Sequence, residues 1–265
     1  MHIIRYQDAS GGVRWGRSVD EDHALPLTGD LFAEHTFAAK PVPMVRRLAP
    51  VDPPNVFAIG LNYADHAREG GARKLPKEPL VFLKATTTVI GPEDAIVLPR
   101  SAPDEVDYEA ELAVVIGRRA HHVSAANALS YVLGFTCAND VSARDCQKVR
   151  DKQWARAKSF DSFCPLGPAI VTPDEVDCDR LALRSVLNGQ VMQDGTTADM
   201  IFPVRELVSF LSHQFTLLPG TVLLTGTPAG VGFARTPPVY LRPGDRIEIA
   251  IEGIGRLGNP VVGES

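Results

Sequence analysis

Hydrophobic and polar residues alternate along much of this chain with the period of two that is typical of β-strands. The alternation is clearest from Tyr108 to Ile116, a segment that ends in β-branched residues. Residues 3–19 predict a hairpin with a turn at 10–12, and Asn188-Gly189 predicts another, because this dipeptide favours tight two-residue turns. The other predicted strands are residues 56–60, 80–84, 135–141, 169–172, 181–187, 221–225, 239–241 and 247–251.

Helical patterns and capping signals are confined to three segments. Asn62 is a good N-cap and Gly70-Gly71 a good stop, so a short helix is expected between them. A second helix is expected over residues 124–134, from a serine cap to a glycine, and a third over 203–211, where a proline occupies the start. The predicted fold class is therefore mixed, mainly β with a few helices, arranged as a β-roll or sandwich.

Five prolines between residues 41 and 54 divide the chain. A segment of this kind is expected to be neither a continuous helix nor a central strand. We therefore predict a small N-terminal β domain over residues 1–50 and a catalytic β-roll domain over residues 51–265. The N-terminal piece is small for an independent core, so it is expected to pack on the rest.

Composition limits the classes of function. The 265 residues are 45% hydrophobic and 22% charged, with a net charge of −5, which is the profile of an ordinary soluble globular protein. No block of like charges stands out, so neither nucleic acid nor a membrane is expected as a partner. The four cysteines show no metal or redox spacing, and neither a signal peptide nor a long apolar run is visible. A cytoplasmic protein is therefore expected.

Two carboxylates on the segment from Tyr108 to Ile116 give the first indication of chemistry. Glu109 and Glu111 point to the same face of a strand, with α-carbons roughly 7 Å apart. Asp140 can supply a third oxygen for a divalent cation such as Mg²⁺. The alternative is that Glu109 and Glu111 are solvent-facing charges that discourage pairing at a sheet edge.

A histidine and a glutamate on the first predicted helix form a second candidate. His66 and Glu69 lie three residues apart on one helical face, where the carboxylate can orient the imidazole as a general base. The alternative is a surface ion pair. Residues 70–79 are a candidate lid, and residues 225–232 offer backbone N–H groups to an anion. The donor-rich segment 142–161 is either part of an anion site or a solvated connector.

Six short motifs follow one another along the chain. They are Gly60-Leu61-Asn62-Tyr63-Ala64-Asp65-His66-Ala67, Phe82-Leu83-Lys84, Asp107-Tyr108-Glu109-Ala110-Glu111-Leu112-Ala113, Asn139-Asp140-Val141-Ser142-Ala143-Arg144-Asp145, Ala157-Lys158-Ser159-Phe160-Asp161 and Thr225-Gly226-Thr227-Pro228. In this order, across residues 56 to about 260, they resemble the fumarylacetoacetate hydrolase family. The short N-terminal part is similar to the small bacterial branch of that family. Ala85 departs from the proline that many relatives carry after the lysine.

The resemblance implies a fumarylacetoacetase-type β-roll catalytic domain and a homodimer that acts on a small-molecule keto acid. It also implies a divalent metal, Mg²⁺ or Mn²⁺, with Ca²⁺ an occupant that would fit in a crystal. The implied metal ligands are Glu109, Glu111 and Asp140, and the implied catalytic residues are His66, Glu69 and Lys158. The residues implied to bind substrate or shape the site are Lys84, Arg144, Gln147 and Thr227.

These residues favour a metal-dependent hydrolase that cleaves a carbon–carbon bond in a 2,4-diketo acid. An acylpyruvate or fumarylpyruvate would give pyruvate and a carboxylic acid, with His66 activating water and Lys158 contacting the carbonyl. One alternative is an oxaloacetate-type decarboxylase, or an isomerase of unsaturated 2-keto dicarboxylic acids in aromatic catabolism. The His66–Glu69 pair favours hydrolysis, because decarboxylation needs no general base to make a nucleophile. A second alternative, a non-catalytic metal-binding protein, would have no use for His66, Glu69 and Lys158 together.

Overall fold

Nineteen strands and two α-helices make up the protein in a computed structural model that describes all 265 residues. The strands are β1 (His2–Asp8), β2 (Val13–Ser18), β3 (His23–Gly29), β4 (His35–Phe37), β5 (Val42–Leu48), β6 (Val56–Gly60), β7 (Leu80–Lys84), β8 (Val89–Ile90), β9 (Ile96–Leu98), β10 (Val106–Asp107), β11 (Ala110–Ile116), β12 (Val132–Asn139), β13 (Ser142–Ala143), β14 (Cys164–Val171), β15 (Ala182–Leu187), β16 (Gln190–Thr196), β17 (Val222–Leu224), β18 (Arg246–Ile251) and β19 (Gly255–Gly263). The helices are α1 (Ala64–Glu69) and α2 (Val204–Gln214), with 3₁₀ segments at Thr86–Thr88, Ala125–Tyr131, Thr197–Asp199 and Gly232–Ala234 and a π-helical turn at Cys146–Arg150. The prediction of a mainly β fold with a few helices is confirmed. Neither α-helix has the length and apolar character needed to cross a membrane.

The strands form a large sheet, a small sheet and one short pair. Neighbours in the large sheet run β2-β3-β5-β1-β14-β12-β11-β17-β6-β7, with β4 and β8 attached to β3 and β14. The small sheet runs β16-β15-β18-β19-β9, and β10 pairs with β13. The predicted turn at Asn188-Gly189 joins β15 to β16. Both turn residues have positive φ, 50° and 83°, as a tight two-residue hairpin turn requires.

Strand β11 is central to the large sheet, and all seven of its residues are buried. One face contributes Leu112, Val114 and Ile116 to a core of 42 residues that also takes in the small sheet. The other face contributes Ala113 and Val115 to a second core of 15 residues, which includes side chains of β14 and β17. A strand covered on both faces needs apolar residues at successive positions, which explains the apolar run from Leu112 to Ile116 that follows the alternating part of the segment.

The N-terminal strands extend the large sheet, because β1 pairs with β14. Pro43 lies within β5, opposite His23, and β5 is an internal strand between β3 and β1. The expectation that the proline-rich segment contains no central strand is therefore wrong. The proline is tolerated because β5 and β3 pair over only two residues at that end. The domain division near residue 50 stays a prediction.

Helix α1 is confirmed but begins differently from the prediction. Its N-cap is Tyr63, and the side chain of Asn62 makes no cap. The Asn62 amide instead donates to the carbonyl oxygens of Thr225 at 2.7 Å and Phe202 at 3.0 Å. Asn62 therefore ties the start of the helix to two distant segments.

The second predicted helix is wrong in its final part. Residues 125–131 form a 3₁₀ segment, and the chain enters β12 at Val132. Gly134, expected to end a helix, lies opposite Val115 in the large sheet. A side chain at this glycine would meet the carbonyl oxygen of Val171 at 2.4 Å, so the glycine serves the close packing of strands. Residues 239–241, predicted as a strand, form no regular element.

Candidate functional site

Three buried carboxylates meet where β11 and β12 lie side by side. Ala110 at the start of β11 pairs with Asn139 at the end of β12. The residues next to this pair, Glu109 and Asp140, are thereby brought together, and Glu111 follows on the same face. Ligand oxygens of the three side chains all lie within 4.8 Å of one another. The alternative of a solvent-facing edge is wrong, because Glu109 is 5% exposed and Glu111 is 1% exposed.

Lys158 bridges two of these carboxylates. Its Nζ donates hydrogen bonds to Glu109 Oε2 at 2.8 Å and to Asp140 Oδ2 at 2.7 Å. Burial alone would lower the pKa of Lys158, but Asp140 and Glu109 outweigh it and raise this pKa above its ordinary value. Lys158 is therefore an ammonium ion at neutral pH, with two of its three N–H donors in use.

Lys84 and Arg144 contact the same carboxylates from other directions. Lys84 is fully buried and donates from Nζ to Asp140 Oδ1 at 2.5 Å. A guanidinium nitrogen of Arg144 lies 2.7 Å from Glu109 Oε1, and Arg144 Nε donates to Asp107 Oδ2 at 2.9 Å. The two cations hold the ligand carboxylates in fixed positions.

Glu111 is the carboxylate of the three without a cationic partner. Its Oε2 accepts a hydrogen bond from the backbone N–H of Gly226 at 2.7 Å. Burial, with Asp140 and Glu109 nearby, raises the pKa of Glu111 well above its ordinary value. Burial also opposes ionisation of Glu109, but Lys158 in particular outweighs it and lowers the pKa of Glu109. Repulsion between like charges is thus left uncompensated at Glu111.

The three carboxylates fit a hard divalent cation. The site offers oxygen donors only, already gathered within reach of one ion, and such a set suits Mg²⁺ or Mn²⁺. A cation at this point would also compensate the repulsion at Glu111. The prediction that Glu109, Glu111 and Asp140 can hold a divalent metal agrees with this geometry, and the identity of the metal stays a prediction.

His66 and Glu69 form a hydrogen-bonded pair on α1. Glu69 Oε1 lies 2.8 Å from His66 Nδ1, and Glu69 Oε2 accepts from the backbone N–H of Gly230 at 2.9 Å. Their side chains are 9% and 21% exposed, so the alternative of a surface ion pair is wrong. Because Nδ1 is engaged, Nε2 is the ring nitrogen left to exchange a proton.

The glycine-containing loop 225–232 directs backbone N–H groups at carboxylates of the protein itself. Gly226 N–H donates to Glu111, and Gly230 N–H donates to Glu69. Gly232 N–H donates to Asp107 at 2.8 Å. The sequence predicted an anion-binding loop, and the anions it holds are these side chains. Gly226 has a φ of +96°, and a Cβ atom added to it would lie 2.7 Å from the Cβ of Asn62. Only glycine therefore fits at this position.

A cavity of about 330 Å³ opens beside these groups. The predicted site residues in its wall are His66, Glu109, Glu111, Arg144, Gln147, Lys158 and Thr227. The rest of the wall is Ile59, Gly60, Leu61, Ala67, Gly70, Gly71, Ala72, Phe82, Lys148, Trp154 and Phe233. A few charged groups in a largely apolar and glycine-rich wall are typical of a small-molecule site.

The other three predicted site residues, Glu69, Asp140 and Lys84, lie behind this wall. Glu69 reaches the cavity only through His66. Lys84 is in contact with Asp140, so the structure shows a different contact from the predicted one, and the role of Lys84 in binding substrate stays a prediction. Thr227 lines the wall, but its hydroxyl is already bonded to the carbonyl of Ala110.

Three further residues of the site, Asp107, Lys148 and Phe233, have no role predicted from the sequence. Asp107 is fully buried and accepts hydrogen bonds from Arg144 and from the backbone of the 225–232 loop. Its place in the acidic segment before β11 and at the start of the motif 107–113 was the available signal. Lys148 Nζ lies 3.3 Å from the centre of the Phe233 ring, a contact between residues far apart in sequence that no local pattern indicates.

Comparison with known proteins places the chain in a family. Residues 55–262 match the family model described as Fumarylacetoacetate (FAA) hydrolase C-terminal. The chain belongs to the fumarylacetoacetate hydrolase family. The resemblance inferred from the six motifs is thereby confirmed.

The chain is similar over nearly its whole length to a tautomerase and to two isomerases of known structure. The mitochondrial oxaloacetate tautomerase Fahd2a of Rattus norvegicus is 44% identical over 257 residues, which cover 91% of this chain and 82% of the relative. The crystal structure of 5-carboxymethyl-2-hydroxymuconate delta-isomerase from Mycobacterium smegmatis is 41% identical, with a TM-score of 0.87 over 100% of both chains. That of 2-hydroxyhepta-2,4-diene-1,7-dioate isomerase from Mycobacterium marinum is 41% identical, with a TM-score of 0.87 over 100% of this chain and 99% of the other. The prediction of an enzyme of this family is confirmed at that level, and hydrolysis as its reaction stays a prediction.

Proposed function

We propose that this protein is a divalent-metal-dependent enzyme that interconverts the keto and enol forms, or the double-bond isomers, of a 2-keto acid. The observation that carries the proposal is that His66, hydrogen-bonded to Glu69 behind it, lines the same cavity as Glu109 and Glu111. A base placed beside a site for the oxygens of a keto acid suits proton transfer between carbon and oxygen. The names of the similar proteins, a tautomerase and two isomerases, describe reactions of this kind.

The proposed metal is Mg²⁺ or Mn²⁺, held by Glu109, Glu111 and Asp140. When bound, it would supply Lewis-acid polarisation of the substrate's keto group. Lys84 supports the site by fixing Asp140 from behind. We assign Lys84 to positioning this ligand because its side chain has no exposed area from which to touch a substrate.

His66 is the proposed proton carrier. Its Nε2 takes a proton from the carbon next to the keto group and delivers it to the oxygen, so that one C–H bond breaks and one O–H bond forms. Glu69, held by Gly230, stabilises the imidazolium between the two transfers. The third N–H of Lys158 donates to the oxygen on which negative charge develops, and a donor of this kind contributes about 2.7–4 kcal/mol.

Arg144, Gln147 and Thr227 are proposed to shape the substrate site. Gln147 Oε1 accepts a hydrogen bond from Arg144 at 2.8 Å, which leaves its amide N–H groups for a substrate oxygen. Arg144 supplies positive charge next to that amide. The bonded hydroxyl of Thr227 forms part of the wall.

A second candidate is hydrolysis of a carbon–carbon bond in an acylpyruvate or fumarylpyruvate. The observation that favours it is again the hydrogen-bonded His66–Glu69 pair, since a carboxylate-oriented imidazole can remove a proton from water as well as from carbon. Decarboxylation of oxaloacetate needs no such base and is supported only by the metal ligands. The proposed reaction and this candidate differ in whether water attacks.

The experiment that separates these reactions uses metal-stripped protein with and without added Mg²⁺ or Mn²⁺. Oxaloacetate and acetylpyruvate are followed side by side by loss of enol absorbance, and products are identified by NMR in deuterated water. Ketonisation and deuterium uptake next to the keto group that are faster than in protein-free solution with the same metal, with no additional pyruvate, support proton transfer. Pyruvate and acetate from acetylpyruvate would establish hydrolysis instead, and pyruvate formed from oxaloacetate faster than in that protein-free solution would establish decarboxylation. No reaction with either substrate, or with an unsaturated 2-keto dicarboxylic acid assayed in the same way, with metal bound, would refute the proposal.

We also propose, on the basis of family membership, that the protein is a homodimer, and we keep the cytoplasm as its predicted location. Sedimentation of the purified chain measures its mass in solution, and a 28.6 kDa monomer at all concentrations would refute the dimer. Fractionation of the source cells tests the location.

A further inference from the structure

Lys148 lies at the rim of the cavity without a direct ion-pair partner. It follows Gln147 on the π-helical turn Cys146–Arg150 and belongs to the cavity wall. Its Nζ lies 3.3 Å from the centre of the Phe233 ring, and the carboxylates of Asp107, Glu109 and Glu105 attract it from beyond ion-pair distance. The negative face of the ring thus holds an ammonium beside the cavity.

The other cationic side chains of the wall are already paired. Lys158, Arg144 and His66 each contact a carboxylate of the protein. Partial burial and the nearby guanidinium of Arg144 lower the pKa of Lys148, and the attraction of Asp107, Glu109 and Glu105, none of which forms an ion pair with it, does not offset this. Lys148 is therefore the wall cation left to balance an anion that enters from solution.

We propose that Lys148 is a specificity-determining residue that binds the second carboxylate of a keto diacid. The inference rests on the proposed function, which places the keto-acid end of the substrate at Glu109 and Glu111. The far end of a short diacid then extends towards the rim, within reach of the flexible lysine side chain. A carboxylate there replaces the contact with Phe233 by a charge-assisted hydrogen bond, which is the stronger interaction.

The test compares two substrates that differ only in the second negative charge, oxaloacetate and its 4-methyl ester. Both are assayed with the metal-loaded wild type, Lys148→Met and Lys148→Arg. We expect Lys148→Met to lower kcat/KM for oxaloacetate about tenfold, mainly through KM, and to change it little for the ester. Lys148→Arg should keep the preference for the diacid, and added salt should weaken that preference in the wild type. Equal losses for both substrates, or no loss for oxaloacetate, would overturn the proposal.

A binding measurement separates this proposal from the proposed reaction. Trp154 lies in the wall and the chain has one other tryptophan, so a Trp15→Phe background makes fluorescence report occupancy of the cavity. Malate and its 4-methyl ester present the same difference in charge but have no keto group to enolise. About tenfold weaker binding of malate to Lys148→Met, with unchanged binding of the ester, supports the role of Lys148 even where oxaloacetate is not turned over. Absence of oxaloacetate turnover would refute only the proposed proton-transfer reaction. Equal affinity of wild type and Lys148→Met for malate would overturn the role of Lys148.

Discussion

Replacement of Lys158 by methionine is expected to destabilise the metal-free protein. The side chain is 2% exposed, and its ammonium lies 2.7–2.8 Å from oxygens of Glu109 and Asp140. Methionine keeps most of the volume but leaves both buried carboxylates without this cation. Removal of one partner from a buried ion pair costs about 3–5 kcal/mol. We expect about 3 kcal/mol, because Lys84 and Arg144 still contact the same two carboxylates.

Metal binding is expected to recover much of this loss. The ammonium of Lys158 hydrogen-bonds to two of the proposed metal ligands and repels a cation beside them, so its removal should tighten metal binding. A ligand that binds only the folded state raises the free energy of unfolding in proportion to ln(1 + [L]/Kd). A tenfold tighter Kd therefore adds about 1.4 kcal/mol to the stabilisation by saturating metal.

The assay is urea unfolding followed by far-ultraviolet circular dichroism, in EDTA and in excess Mg²⁺. Wild type and Lys158→Met are compared with Lys152→Met, which removes an exposed lysine from the same region and should change stability by less than about 0.5 kcal/mol. Mg²⁺ should stabilise Lys158→Met more than it stabilises the wild type. Equal stability of Lys158→Met and wild type in EDTA, or equal increments with Mg²⁺, would refute the reasoning.

Three further predictions follow from the site and its surroundings. His66→Asn should lower kcat about 10²–10⁴-fold. The metal affinity measured by calorimetry should stay nearly unchanged, because His66 contacts Glu69 and no metal ligand. Parallel losses of kcat and metal affinity would contradict the role of His66 as a base. All four cysteines are buried, and burial raises the pKa of Cys137, Cys164 and Cys178 from 9.0 to about 12. A thiol reagent at pH 8 should therefore modify no cysteine in the folded protein and all four in urea, and fast labelling of the native protein would contradict this. The free energy of unfolding should fall as pH rises from about 9 towards about 12, because in that range the thiols ionise only in the unfolded chain. Gly232→Ala places a methyl group 1.9 Å from the carbonyl oxygen of Val239 and should cost about 1–3 kcal/mol in thermal unfolding, a prediction that an unchanged melting temperature would exclude.

Features determined by neighbouring residues were predictable. The hairpin at Asn188-Gly189 and the strands β7 and β18 follow from turn chemistry and period-two patterns within a few residues. The proline at the start of α2 also carried its signal locally, and the helix begins next to it at Val204.

Predictions failed where distant contacts outweighed a local preference. Asn62 has the residue type of an N-cap, but carbonyl groups 140 and 163 positions away bind its amide. Residues 132–134 continue a helical pattern in sequence, yet their backbone pairs with the end of strand β11 in the large sheet. Pro43 sits in an internal strand because the pairing of β5 with β3 is short.

The site divides in the same way. The sequence by itself determined the residue types and their local directions: Glu109 and Glu111 two apart along an extended chain, and His66 and Glu69 three apart on a helix. Only the tertiary structure decided their partners, with Lys158 between two carboxylates and Lys148 over Phe233 at the rim. The physical reason is that periodicity orients side chains within one element, whereas the pairing of strands and the course of loops bring different elements together. Those long-range contacts depend on the packing of the whole chain, and no short segment encodes them.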